Sequence, residues 1–204
     1  MAPDAGGRWL IAGLGNPGPE YAATRHNAGF RVVEELARAE ASRWRSERQY
    51  LWAELAAQGG GAAAVLVKPL TYMNLSGPAV RAALARWRVP VERLLVVHDD
   101  MGLPPGRLRL RRGGSAAGHH GVESVIEALG RSDFARLRVG IGHPAAKEEV
   151  VAYVLGAAAG EERAVFEESV TRAGEVVRLL LTRGLEQAMN EANRWRGSGG
   201  MRPD

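Results

Sequence analysis

Five histidines, a pair of adjacent aspartates and two loop asparagines carry most of the chemistry open to this chain. His26 lies in Thr24-Arg25-His26-Asn27-Ala28-Gly29, a polar stretch directly before an apolar helical run. Imidazole titrates near neutral pH, so a histidine placed this way suits general acid–base work. The plainer alternative is a surface histidine beside a helix-capping Asn27. His98-Asp99-Asp100 closes the apolar run Leu94-Leu95-Val96-Val97. A carboxylate at a strand end can orient a histidine and stabilise its cation, although the same residues also suit a turn before Pro104-Pro105-Gly106. Side chains alternate along a strand, so at most one of His98 and Asp99 is expected to face a given site. Spacing does not choose between Asp99 and Asp100.

Asn16 sits in Gly13-Leu14-Gly15-Asn16-Pro17-Gly18, and Asn74 in Lys68-Pro69-Leu70-Thr71-Tyr72-Met73-Asn74-Leu75-Ser76-Gly77. A side-chain amide both donates and accepts, which fits it to an amide or ester substrate. The first motif also matches a dinucleotide-binding glycine loop. Against that reading, Pro17-Gly18-Pro19 opposes the helix start that would hold a pyrophosphate. The second strand also ends near Lys68, about fifty residues on rather than about twenty, with no acid at its end for a ribose. Arg107, Arg109 and Arg111 are spaced to share one strand face beside the glycine-rich stretch 113–121, a combination suited to phosphates or simply to solvent.

These groups need a scaffold, and the hydrophobic pattern supplies one. Residues 8–14, 50–57, 62–69, 93–98, 106–111 and 135–141 read as strands. Residues 27–41, 74–88, 121–129, 161–181 and 185–193 read as helices. The triple glycine 59–61 makes 50–69 a hairpin. Alternating strands and helices predict an α/β fold: a single domain over 8–196, a mixed twisted β-sheet flanked by helices, a helical C-terminal part, and an unstructured tail at 197–204.

Composition narrows the classes. The chain has 204 residues, 46% hydrophobic and 25% charged, which is globular composition for one domain. It has no cysteine, so disulfides, thiolate nucleophiles and cysteine zinc sites are excluded. The histidines show no standard metal-ligand spacing. No signal peptide or membrane-length apolar run is visible, which predicts a cytoplasmic protein. Lys+Arg exceeds Asp+Glu by 27 to 23, a balance that fits a polyanionic partner.

Together, GLGNPGPEYAATRHNAGF, KPLTYMNLSGPAV, HDDMGLPPGRLRLR and LRVGIGHP resemble, in order and spacing, the bacterial peptidyl-tRNA hydrolase family. The resemblance runs from about residue 9 to about residue 156. It implies hydrolysis of the ester joining a peptide to the 3′ ribose of tRNA by an activated water, with no covalent intermediate, no cofactor and no metal. Peptidyl-tRNA is then the partner of a cytoplasmic monomer. It implies His26 as the catalytic histidine and Asp99 as its carboxylate. It implies Asn16 and Asn74 as substrate contacts, and Tyr21 and Met73 as cleft neighbours. Arg109 and Arg111, with Arg138, fall where the family holds tRNA phosphates, and His119 joins the substrate-binding set. Where the family reads Gly-His-Asn-Gly, this chain has Gly118-His119-His120-Gly121. His120 therefore stands in for a substrate-contacting amide that it cannot reproduce. The rival reading is a catalytically silent RNA-binding protein on the same scaffold.

Overall fold

A computed structural model describes residues 7–144 and 149–195. The order is β1 (Trp9–Gly13), α1 (Ala28–Ala39), β2 (Arg45–Ser46), β3 (Tyr50–Leu55), β4 (Ala64–Pro69), α2 (Ser76–Trp87) and β5 (Leu94–Asp100). There follow β6 (Leu108–Arg112), α3 (His120–Leu129), β7 (Ala135–Gly140), α4 (Val150–Val154), α5 (Gly160–Arg183) and α6 (Leu185–Arg194). The strands form one mixed sheet in the order β2-β3-β4-β1-β5-β7-β6. Its centre, β4-β1-β5-β7, is parallel, and the outer pairs β2–β3, β3–β4 and β6–β7 are antiparallel.

Burial explains the layers. Every residue of β5 is buried, the mark of a strand covered on both faces. Ile11, Leu95, Val97, Leu137 and Val139 point toward α1, α5 and α6, with Leu36, Val177 and Leu180 among their neighbours. Leu10, Val65, Leu94, Val96 and Phe134 point the other way, toward α2 and α3. The chain leaves β1 for β4 on one side and reaches β5 on the other. The crevice outside the carboxyl ends of β1 and β5 is therefore where such sheets bind ligands.

The single α/β domain matches the expectation; the differences are the short edge strand β2, which was not expected, and the ends of elements. The helix expected over 27–41 begins with a separate 3-10 turn, Arg25–Asn27, before α1. The helix expected from residue 74 starts at Ser76, after a 3-10 turn at Met73–Leu75. Both turns place polar side chains at the crevice that a regular helix would carry elsewhere. β6 starts at Leu108, not 106, so Arg107 lies before the strand. Its guanidinium donates to the carbonyls of Trp195 (2.8 Å) and Asn193 (3.0 Å) at the end of α6, which removes it from the arginine face. The glycine motif after β1 leads to a 3-10 turn, Pro19–Tyr21, rather than a helix, so it lacks the helix N-terminus a pyrophosphate needs. The tail expected at 197–204 lies outside the described residues.

Candidate functional site

The site is assembled where α1 meets the ends of β1 and β5. Gly29 makes that approach possible, because a Cβ there would stand 2.2 Å from the Val97 carbonyl oxygen and 2.3 Å from the Leu14 nitrogen. The preceding turn carries His26 to Asp99 at the end of β5. His26 Nδ1 lies 3.0 Å from each Asp99 carboxylate oxygen. The ring donates Nδ1–H to the carboxylate, and the Nε2 lone pair is left free.

Asp99 holds a second imidazole. His119 Nε2 lies 2.9 Å from Asp99 Oδ1, while its Nδ1 accepts the Val122 N–H at 3.3 Å. That acceptor role, as N-cap of α3, puts the proton of His119 on Nε2 and makes it a donor to Asp99. Burial works against the Asp99 anion, but His119 and then His26 outweigh it and hold the carboxyl well below the usual carboxylate range. His98 packs edge-on against His119, with ring centroids 4.7 Å apart. Its Nδ1–H donates to the Asp99 carbonyl at 2.6 Å. Burial first, and then His119, push His98 down to about 3, so it stays neutral at physiological pH.

His98 and Asp99 both line one cavity of about 340 Å³, together with His26, His119 and Arg138. The expectation that only one of the pair would face the site is therefore wrong. The alternation itself holds: Asp99 points to the α1 side and His98 to the α3 side. The cavity wraps around the strand end, so both faces reach it. Met101 and the α4 residues Val150, Val151 and Val154 give it an apolar wall.

The asparagines form a second set. Asn27 does not cap α1 through its side chain. Its Oδ1 accepts the Asn16 N–H (2.8 Å) and its Nδ2 donates to the Asn16 carbonyl (3.0 Å), clamping that backbone from both sides. Asn16 Oδ1 in turn accepts the Met73 N–H at 2.8 Å, so the amide of Asn16 has its Nδ2 donors left over. Met73 reaches α3 because Gly121 has no side chain. A Cβ there would meet Met73 Sδ at 2.4 Å and His119 Cε1 at 3.1 Å. Asn74 is exposed on the Met73 turn, and Tyr21 lies in the turn after β1.

The structure thus brings His26, Asp99, His119 and Arg138 to one cavity, whereas Asn16, bonded to Met73, lines a separate cavity of about 220 Å³ with Asn27 and Lys68. His120 lies at the rim of the His26 cavity, with a side chain 74% exposed and Nδ1 3.0 Å from Glu123 Oε2. Arg109 and Arg111 lie outside it, on the edge strand β6. In register, His98 pairs with Arg138 and Arg138 with Arg109. Arg109 is therefore roughly 10 Å from His98 along the sheet, at about 4.8 Å per strand. Arg138 is ion-paired with Asp100, whereas Arg109 has no ion pair among the described residues. Sequence reasoning missed Asn27 as a clamp, His119 as a partner of Asp99, the packing of His98 on His119, and Arg136 altogether. Only the motif grouping of His26 with Asn27, and of His119 with His120, hinted at the first two.

The fold thus carries a histidine–carboxylate pair at a strand-end cavity and an arginine-rich sheet edge, an arrangement able to activate water for hydrolysis. Family comparison agrees. The peptidyl-tRNA hydrolase family model matches residues 10–199, and the chain belongs to that family. It is 46% identical over 191 residues to a peptidyl-tRNA hydrolase of Frankia casuarinae, spanning 93% of this chain and 96% of that one. It is 45% identical over 188 residues to that of Carboxydothermus hydrogenoformans, spanning 91% and 98%. The crystal structure of peptidyl-tRNA hydrolase from Acinetobacter baumannii superposes with a TM-score of 0.86 at 37% identity, covering 92% of this chain and 95% of that one.

Proposed function

We propose that this chain hydrolyses the ester between a peptide and the 3′ ribose of tRNA, with His26 as general base. The observation that carries the reading is the His26–Asp99 contact at the polar end of the cavity. With Nδ1–H committed to Asp99, Nε2 faces the reaction with a lone pair. It takes a proton from water as the oxygen attacks the ester carbonyl. The imidazolium, stabilised by Asp99, then returns that proton to the departing 3′ oxygen, giving a free peptide carboxyl group and tRNA. A general base is worth roughly 10²–10⁴-fold, and an oxyanion donor about 3–4 kcal/mol. Asn16 is the proposed donor, because its Oδ1 is already taken by Met73 and its Nδ2 hydrogens are not. An alkoxide leaves an ester more readily than an amine leaves an amide, so no covalent nucleophile is required.

Asn74, Tyr21 and Met73 are proposed to line the path of the substrate's 3′ end, and Arg109 and Arg111 to meet tRNA phosphates. Arg138 contributes less free charge there, because Asp100 already neutralises it. One chain carries every group in this scheme, and the chain is proposed to act as a monomer. No helix among the described residues is long and apolar enough to cross a membrane, in keeping with a proposed place beside translation in the cytoplasm. The test is cleavage of peptidyl-tRNA by the wild-type chain, with an aminoacyl-tRNA control. Hydrolysis that is lost in His26→Asn while tRNA binding persists is the expected result. Binding without any hydrolysis in the wild type would favour the silent RNA-binding alternative.

A further inference from the structure

We propose that His26, Asp99 and His119 form a capture site for a divalent transition-metal ion, zinc above all, and that the captured ion switches hydrolysis off. The three residues offer ligand atoms that all lie within 4.8 Å of one another. Zinc holds nitrogen and carboxylate oxygen at about 2.0–2.2 Å, so neighbouring donors on one ion stand roughly 3–3.5 Å apart. The gaps from Asp99 to His26 and His119, 3.0 and 2.9 Å, already have that spacing. Only the two nitrogens need to approach one another. Two imidazoles and one carboxylate favour zinc, cobalt, nickel or copper over magnesium or calcium, which prefer all-oxygen shells. The Asp99 side chain is 3% exposed, so solvent screens its charge little. The adjoining cavity leaves room for a water as fourth ligand.

Proton balance explains the inhibition. At rest, His26 carries its proton on Nδ1 and keeps the Nε2 lone pair. An ion on Nδ1 needs the lone pair there, so the proton moves to Nε2 and the base is lost. At His119 an ion on Nε2 sends the proton to Nδ1, which gives up the 3.3 Å bond from Val122. The Val122 N–H keeps the His119 carbonyl at 2.9 Å, while the new Nδ1–H faces that donor without an acceptor, a cost that binding of the ion has to exceed. No proton is gained or lost overall. The binding stands on geometry alone, while its inhibitory effect rests on the reading of His26 as the base. Positions 26, 99 and 119 are too far apart in sequence to form a recognisable ligand motif, so only the fold reveals the set.

The experiment adds Co²⁺ and Zn²⁺ to the full-length, metal-free protein, following the visible Co²⁺ bands and ester cleavage in parallel. One equivalent is expected to bind, with hydrolysis lost in step, restored by a chelator, and unaffected by magnesium. His119→Phe is expected to weaken binding by more than about 100-fold. In the wild type, Co²⁺ should broaden the ring signals of His26 and His119 before those of His120 and His143, a readout that needs no variant to fold. Absence of binding overturns the site. So does binding that survives His119→Phe, or broadening centred on His120, which pairs with Glu123 at the surface. An ion bound at the cluster while cleavage continues overturns the switch and counts against His26 as base.

Discussion

The end of β5 and the β6–β7 edge lie side by side, yet they manage charge in opposite ways. At the end of β5 each polar group is answered by a protein partner. Asp99 holds two imidazoles, Asn16 is clamped by Asn27 and bound to Met73, and His98 spends its Nδ1–H on a backbone carbonyl. What remains is the Nε2 lone pair of His26 and the Nδ2 hydrogens of Asn16. At the sheet edge, Arg109 faces Arg138 and Arg111 faces Arg136 across the strands, and like charges directly opposite are destabilising. Among the described residues only Arg138 has a carboxylate. Arg111 and Arg136 are bonded to carbonyls alone. Burial first, then Arg111 and Arg138, pull the Arg136 guanidinium down to about 10. The lesson is a division of labour. On the proposed function, the site for chemistry satisfies itself except at the groups that meet substrate, and the surface for a polyanion keeps an imbalance that the partner relieves.

The sharpest way to break this contrast is at the lone pair. His26→Asn is expected to lower the first-order rate of ester cleavage by roughly 10²–10⁴-fold, with tRNA affinity within a few-fold of wild type. Single-turnover rates and equilibrium binding at one salt concentration separate the two. A variant that bound poorly would show that the self-satisfied end also carries recognition. The reverse experiment is Arg109→Ala with Arg111→Ala. Binding is expected to weaken and the slope of log affinity against log salt to flatten by roughly 1.4–1.8, or 0.7–0.9 for each phosphate that is no longer neutralised. The saturated cleavage rate should hold. Arg107→Ala, whose guanidinium is occupied at the end of α6, should leave the slope unchanged, and an equal flattening there would erase the distinction between the edge arginines.

Much of this division was legible in the sequence, and the rest was hidden for physical reasons. Strands and helices announced themselves by period, and His26 and the arginines by residue type beside glycine-rich turns, whereas Asp99 was singled out from Asp100 only by the family resemblance. The 3-10 turns at Arg25–Asn27 and Met73–Leu75 were absorbed into the following helices, because a single tight turn has no period of its own. Asn27 read as a cap because capping is the common fate of an asparagine there, and its clamp on Asn16 is a contact eleven residues away in sequence. The double use of Asp99 depends on where α3 begins relative to β5, which no spacing rule encodes. Arg107 was misplaced because a two-residue error at a strand end moves a side chain from the sheet to its border.

A smaller effect probes how His98 stays neutral at the end of β5. His98 is held near 3 in the folded chain, against about 6.5 for a histidine in the unfolded one. Its contribution to stability is therefore complete above pH 6.5 and is lost as the pH falls toward 3. The slope for one proton is up to about 1.4 kcal/mol per pH unit. His98→Phe keeps a ring against His119 and removes the titration. Denaturant midpoints between pH 6.5 and 4.5 should then fall less steeply than in the wild type. Parallel curves would mean that protonation of His98 is not what acid exploits.

The smallest expected effect concerns the residue that departs from the family pattern. His120 opens α3, but its side chain is 74% exposed and is bonded to Glu123 on the same helix. It accepts nothing from His26, Asp99 or Asn16, so the closed network at the end of β5 is complete without it. His120→Asn, which restores the family residue, is therefore expected to change kcat/KM by less than about threefold, since a surface contact of this kind is worth at most about 0.5 kcal/mol. Steady-state cleavage at pH 7 is sufficient to measure it. A gain of tenfold or more would mean that an amide at this rim does what imidazole cannot, namely donate and accept at once toward substrate and water. The boundary of the catalytic region would then have to be moved outward, from the buried carboxylate to the first turn of α3.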